Sequence, residues 1–234
     1  MIDVDVLREF GHLGSLHGDW TTYARLLIPD LIAADRALYL DADLTINCDI
    51  LEIDDGLDFG GRLLAAVTRS TLRMHIDCEF LKLSAGLNDD TPYFNAGVIY
   101  FNLAECRKQR AALAWRTFAD AHKEHLISHD QSILNGHVKG DFVQLDVRFN
   151  LPWIAEATQP EKFRQAIVHF VGAPKPWDFS GHLLHRGFAH WAEYDTPLWR
   201  SAYRGFKLEK LRRAWQVRRS IARVLIRRAL LKSR

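Results

Sequence analysis

Two stretches of this 234-residue chain carry residue types that could hold a metal ion and a diphosphate between them. Ala37-Leu38-Tyr39-Leu40-Asp41-Ala42-Asp43 ends an apolar run in two carboxylates one residue apart. Val168-His169-Phe170-Val171-Gly172-Ala173-Pro174-Lys175-Pro176-Trp177 offers an imidazole, a glycine and a lysine within one short loop. A hard cation such as Mg²⁺ or Mn²⁺ takes oxygen ligands, and one imidazole among carboxylates moves the preference towards Mn²⁺ and its transition-metal neighbours. Two carboxylates and a neutral histidine leave much of the coordination sphere to the phosphate oxygens of a nucleotide. On an extended strand Asp41 and Asp43 point the same way, since the period is two, and a turn after Leu40 would re-aim either one. The competing reading is that the pair ends a strand and caps the next turn, and for an isolated Asp-x-Asp that reading wins, because Asp is a common turn residue.

The elements that would position these residues are legible as alternating patterns. Apolar runs at 37–40, 63–67, 97–102, 142–145 and 167–171 have strand length, and 19–34, 104–124 and 131–138 show helical spacing. Strands separated by helices indicate an α/β layer architecture with a largely parallel sheet. Sites then gather at strand carboxyl ends, where Asp41 and His169 lie. Trp153, Trp177, Trp191 and Trp199 are either core anchors or stacking surfaces for sugar rings, and core is the default for so large an apolar group.

Composition fits a soluble enzyme without choosing its reaction. With 48% hydrophobic and 26% charged residues the chain can form a large domain with a buried core, alone or with an appendage. Cys48, Cys78 and Cys106 are odd in number, widely spaced and without a C-x-x-C pair, which argues against a disulfide framework or a zinc module and for a reducing compartment. The first six residues carry acids where an export signal would carry positive charge, and no apolar stretch reaches ~18 residues. The expected location is cytoplasmic, with nothing spanning a membrane.

The acid pair does not stand alone. Thr22-Tyr23-Ala24-Arg25-Leu26, Leu38-Tyr39-Leu40-Asp41-Ala42-Asp43, Tyr93-Phe94-Asn95-Ala96-Gly97-Val98, Asp130-Gln131-Ser132-Ile133-Leu134-Asn135 and the His169 to Trp177 loop follow one another in the order found in glycosyltransferase family 8. The chain resembles the bacterial lipopolysaccharide hexosyltransferases of that family, relatives of glycogenin, over roughly two thirds of its length. The resemblance implies a GT-A-like (Rossmann-like) α/β fold, a mostly parallel mixed sheet flanked by helices, and transfer of a glucose or galactose from a UDP-sugar to a lipopolysaccharide core or related glycan with retained configuration. It implies that Asp41, Asp43 and His169 ligate the metal, usually Mn²⁺, that Gly172 and Lys175 contact the diphosphate, and that Arg25 contacts the nucleotide-sugar. Asn95, Asp130 and Gln131 would face the donor sugar near its anomeric carbon. Ser132 stands where some relatives have an acid. That favours a front-face route, with the departing diphosphate helping to deprotonate the acceptor and Gln131 stabilising positive charge. The chemistry is consistent: breaking a sugar–diphosphate bond builds negative charge on one side, which a metal and Lys175 stabilise, and oxocarbenium character on the other.

One departure bears on activity. Family members carry a strand and helix for the base and ribose ahead of the Thr-Tyr-Ala-Arg segment, and here residues 1–20 precede it. The expectation is that this first nucleotide-binding unit is missing, with weak donor affinity and reduced stability. A non-catalytic remnant that binds a membrane or partner chain is therefore the competing reading.

That remnant would act through the tail. Residues 200–234 hold thirteen Lys and Arg against the single acid Glu209, a net +12 in a chain of +2, so the remainder is near −10. The expected organisation is a catalytic domain over 1–199 and a basic amphipathic helical tail over 200–234. On a helical projection Leu211, Trp215, Ala222, Leu225, Ile226 and Ala229 share one side, and Arg212, Arg213, Arg219, Arg223 and Arg227 another, with Arg218 and Arg228 out of place. Such a helix suits the anionic cytoplasmic face of the inner membrane, each cation contributing ~1 kcal/mol. A helix packed on the catalytic domain is the alternative. Nucleic-acid binding would also use the charge, but no base-stacking or groove-reading motif accompanies it.

Overall fold

Seven strands form in the computed structural model, which describes residues 4–16, 18–199 and 208–232: β1 (Arg36–Leu40), β2 (Leu44–Ile46), β3 (Leu64–Thr71), β4 (Pro92–Asn102), β5 (Val143–Gln144), β6 (Leu151–Pro152) and β7 (Ile167–His169). They make two sheets, ordered β1-β4-β3-β5 and β2-β7-β6. The chain divides into two units accordingly, one of Met1–Asp41 with Leu51–Phe149 and one of Ala42–Ile50 with Asn150–Arg234.

In the first unit β4 lies between β1 and β3, antiparallel to both, and β5 adds to β3 in parallel. The apolar run Leu64-Ala65-Ala66-Val67 is buried throughout, as expected of a strand covered on both faces. Around it pack Tyr23, Leu26, Phe94, Phe101, Trp115 and Ile133. In the second unit the central strand β7 pairs antiparallel with β2 and parallel with β6, over a core of Trp153, Phe163, Val168, Phe170 and Trp191. Trp153 and Trp191 are thus core residues, as the default reading expects.

The α/β class and the mixed sheet stand, but the parallel share does not: three of the five strand pairings are antiparallel. A helical stretch between two strands permits a parallel crossover without compelling one. Between β3 and β4 the chain forms the helix Cys78–Ala85 and still returns antiparallel. The expected helix at 19–34 is instead a 3₁₀ segment, Thr21–Leu27, followed by one turn, Ile28–Leu31. Pro29 sits at the start of that turn, where its missing N–H interrupts nothing but cannot continue a helix from before it. The expected helix at 104–124 is two helices, Leu103–Lys108 and Ala111–Ala121, separated at Arg110, whose φ of 53° is left-handed.

Within the tail, 200–207, 233–234 and the side chain of Ala229 lie outside the described residues. The rest is two helices, Leu208–Gln216 and Arg218–Lys232, both in the second unit. Val217 and Val224 are buried, the latter against Ala155 and Leu184. Arg228 donates to the carbonyls of Leu183 and Leu184 at 2.7 Å each, and Arg227 pairs with Glu156. The side that packs is therefore that of Ile221, Val224 and Arg228, while Trp215, Leu225 and Ile226 of the projected apolar side remain more than half exposed. No described helix is long and apolar enough to cross a membrane. Cys48, Cys78 and Cys106 form no disulfide.

Candidate functional site

Each expected site residue is set by the elements of its own unit. In the first unit β1 ends at Leu40, and Asp41 is pinned by its N–H to the carbonyl of Gly97 at 2.9 Å. Arg25, on the 3₁₀ segment, is only 4% exposed and is held by two acids. Its Nη2 lies 2.8 Å from Asp41 Oδ1 and its Nε 3.0 Å from Asp130 Oδ2. Nε also donates to the Thr22 carbonyl, Nη1 donates to that of Ala96, and the guanidinium stacks 4.3 Å over Tyr39, whose hydroxyl donates to the same Asp41 oxygen. Arg25, expected at the nucleotide-sugar, thus has protein groups for partners and acts as the clamp between Asp41 and Asp130. Burial pushes the Asp130 carboxyl upward, with the Arg25 charge and the Thr22 hydroxyl pulling against it.

Asp130 and Gln131 open the helix Asp130–Val138, which is docked on β4 by side-chain amides. Asn135 Oδ1 accepts the Phe94 N–H and its Nδ2 donates to the Phe94 carbonyl, both at 3.0 Å. It thereby satisfies strand backbone where the β3–β4 register slips. One turn earlier, Gln131 Oε1 accepts the Ala96 N–H at 3.0 Å and Asn95 Nδ2 at 3.2 Å. Asn95 Oδ1 in turn accepts the Gly97 N–H at 3.0 Å. The two motifs Phe-Asn-Ala-Gly and Asp-Gln-Ser-Ile-Leu-Asn are one structural unit, since the second supplies the hydrogen-bond partners of the first. Ser132 is buried and its hydroxyl accepts the Ser128 N–H, so it is a helix-start residue.

In the second unit, residues 42–43 form a bend ahead of β2, and Asp43 precedes that strand rather than ending one. Its carbonyl accepts the Phe170 N–H, and β2 pairs with β7 so that Leu44 faces His169. His169, on the central strand, is 4% exposed. Its Nδ1 is 2.9 Å from Asn150 Oδ1 and its Nε2 3.1 Å from Asp43 Oδ1. The other Asp43 oxygen is 2.5 Å from Lys175 Nζ, which also donates to the Phe170 carbonyl. Burial would raise the Asp43 carboxyl, but His169 and Lys175 more than offset it and hold the group well below the usual carboxylate range. Gly172, in the same loop, has φ 74°, a conformation that favours glycine, and no atom within 4 Å of where a Cβ would stand.

This donor set fits a metal ion. Asn150 Oδ1 lies against Nδ1 of His169, which leaves the ring's Nε2 to face Asp43 and to serve as a ligand atom. Asp43 Oδ1 is buried and has no hydrogen-bond partner among the described residues. A cation shared by Nε2 and the buried Asp43 oxygen would satisfy both.

Sequence reasoning missed Asn150, a lone amide with no motif around it, and the roles of Tyr39 and Thr22, which lie inside recognised motifs but touch Asp41 and Asp130 only through the fold.

The family model described as "Glycosyl transferase family 8" matches residues 16–181. The chain is 29% identical over 212 residues to General stress protein A of Bacillus subtilis, covering 82% of this chain and 72% of that protein. It is 30% identical over 172 residues to the lipopolysaccharide 1,3-galactosyltransferase of Salmonella typhimurium, covering 68% of this chain and 50% of the enzyme, so it spans half of that relative's length. Among solved structures, the galactosyltransferase LgtC in complex with donor and acceptor sugar analogues superposes with a TM-score of 0.68 at 26% identity, covering 86% of this chain and 77% of LgtC.

Proposed function

This chain belongs to glycosyltransferase family 8, and from that premise we propose that it moves a hexose, glucose or galactose, from a UDP-sugar to a lipopolysaccharide core or related glycan, with retention of configuration and with Mn²⁺ or Mg²⁺ bound. The observation that carries the reading is the arrangement around His169: a buried imidazole fixed by Asn150 and turned on the unsatisfied oxygen of Asp43, with Lys175 on the same carboxylate. Asp41, Asp43 and His169 would hold the ion. When bound, it would neutralise charge developing on the departing diphosphate. Lys175, tethered in the Gly172 loop, would exchange its carboxylate for that diphosphate and stabilise the same charge. Exposed Asn95 and half-buried Gln131 would meet the donor sugar, with the Gln131 amide oxygen placed against positive charge at the anomeric carbon. The Arg25 clamp would hold Asp41 and Asp130 for those roles. The test is Mn²⁺-dependent hydrolysis of UDP-galactose and UDP-glucose by the full chain. Turnover that disappears with chelator and in Asp43→Asn and His169→Ala supports the reading, and turnover indifferent to all three removes it.

The same reading has the protein work at the anionic inner-membrane surface, where such acceptors are embedded. Its support is the exposed Trp215, Leu225 and Ile226 on the cationic tail. Flotation with anionic vesicles that is lost in Trp215→Glu/Ile226→Glu, changes at exposed sites that spare the buried Val224, is the expected result. No flotation of the unaltered chain would exclude the membrane.

A further inference from the structure

A second buried acid in the first unit has no part in the site described above. Asp77 is 0% exposed at the start of the helix Cys78–Ala85, yet its side chain caps none of that helix's N–H groups. Its Oδ2 accepts the hydroxyl proton of Tyr93, and its Oδ1 is buried with no hydrogen-bond partner among the described residues. The positive end of the helix offsets part of the cost of this burial, and the carboxylate takes the Tyr93 phenol as its hydrogen-bond donor.

Tyr93 is 1% exposed and locked in place. Its ring stacks on His75 at 4.0 Å, and His75 Nε2 is in turn 2.6 Å from Ser70 Oγ. With its proton committed to Asp77, the Tyr93 oxygen can only accept, and Gln131 Nε2 donates to it at 3.2 Å. The Gln131 amide is therefore gripped at both ends: its NH₂ by Tyr93, its oxygen by the Ala96 N–H and Asn95. A flipped amide would put its NH₂ against the Ala96 N–H, donor facing donor.

We propose that Asp77, acting through Tyr93, is a positioning residue for Gln131, fixing which way the amide faces and increasing the negative charge on its oxygen. The proposal rests on the reading that Gln131 faces the donor sugar. The charge-assisted bond from phenol to carboxylate makes the Tyr93 oxygen a stronger acceptor, which draws the Gln131 N–H more firmly and polarises the amide towards its oxygen. That is the polarity needed where oxocarbenium character builds on the sugar. Tyr93 lies within the Tyr-Phe-Asn-Ala-Gly segment, next to the strand residues that Gln131 also binds. Asp77 lies in none of the five motif stretches, and its link to Gln131 enters only through the fold.

The test has two readouts on the full chain. In ¹⁵N-labelled protein, the Gln131 side-chain amide, assigned by its absence in Gln131→Ala, should show one proton hydrogen-bonded and slow to exchange. Tyr93→Phe should abolish that protection, and Asp77→Asn, which keeps an acceptor but not the charge, should shift the resonance part of the way. Gln131 resonances unmoved by both variants would overturn the proposal without any reference to activity. In Mn²⁺-dependent hydrolysis of UDP-galactose and UDP-glucose, Tyr93→Phe and Asp77→Asn should each lower kcat by about tenfold with donor KM unchanged, and by less than about twofold when added to Gln131→Ala. Losses that multiply in the Gln131→Ala background would also overturn it, because the pair would then act by another route. A Gln131→Ala protein with unchanged kcat would instead remove the role of Gln131 itself, leaving the orientation to be judged by the amide resonances.

Discussion

Lys175 holds its ammonium nitrogen 2.5 Å from Asp43 Oδ2, so the lysine expected at the diphosphate is the counter-ion of an expected metal ligand. A cation arriving at Asp43 has to compete with it. Lys175→Met should therefore tighten Mn²⁺ binding in the absence of nucleotide by about fivefold, the scale of a partly exposed ion pair, while lowering turnover of UDP-sugar. Calorimetric titration with Mn²⁺ reads the first effect. Weaker Mn²⁺ binding in the variant would show that Lys175 supports the ion site rather than competing for it.

Asn150 fixes the imidazole from behind. Asn150→Leu removes the acceptor at 2.9 Å from His169 Nδ1 and should cost about 10- to 100-fold in Mn²⁺ affinity, the usual consequence of losing the outer partner of a metal-binding histidine. An unchanged affinity would mean that His169 is not a ligand.

Arg25 is the counter-charge of two acids in a buried place. Arg25→Met leaves Asp41 and Asp130 facing each other without compensation and should destabilise the fold by about 3–5 kcal/mol in chemical denaturation. Adding Asp130→Asn should recover part of the loss. A loss under about 1 kcal/mol would place the clamp among surface-like ion pairs.

His185 gives stability an acid dependence of known sign. Burial, with the charges of Lys175 and Arg228 adding to it, pushes the His185 imidazole down to about 4. Below the unfolded value near 6.5 the unfolded chain takes up a proton that the folded chain refuses. Stability should fall as pH drops from above 6.5 towards about 4 and level off below that, with roughly 3 kcal/mol as the upper limit of this contribution. His185→Leu, although weaker at neutral pH through the lost bond from the Gly187 N–H, should show a flatter profile in urea titrations at pH 7.5 and 4.5. Equal slopes in the two proteins would assign the acid dependence elsewhere.

The sequence by itself determined the family and the strands that carry the expected site residues. The apolar run closed by Asp41 survives as β1 and the run 167–171 survives, shortened to Ile167–His169, as β7, because strand burial is written in local hydrophobicity. Gly172 was legible for a related reason, since a loop that needs a positive φ selects glycine. What only the tertiary structure decided are relationships with no local trace. The direction of β4 depends on which edge the chain returns to, and the packing side of the tail depends on the pocket that receives Val224. Asn150, Asp77 and Arg25 are single polar residues whose meaning comes from partners distant in the chain. A hydrogen bond between residues far apart in the chain imposes no periodicity on either segment, so the fold must bring the partners together before either role can be read.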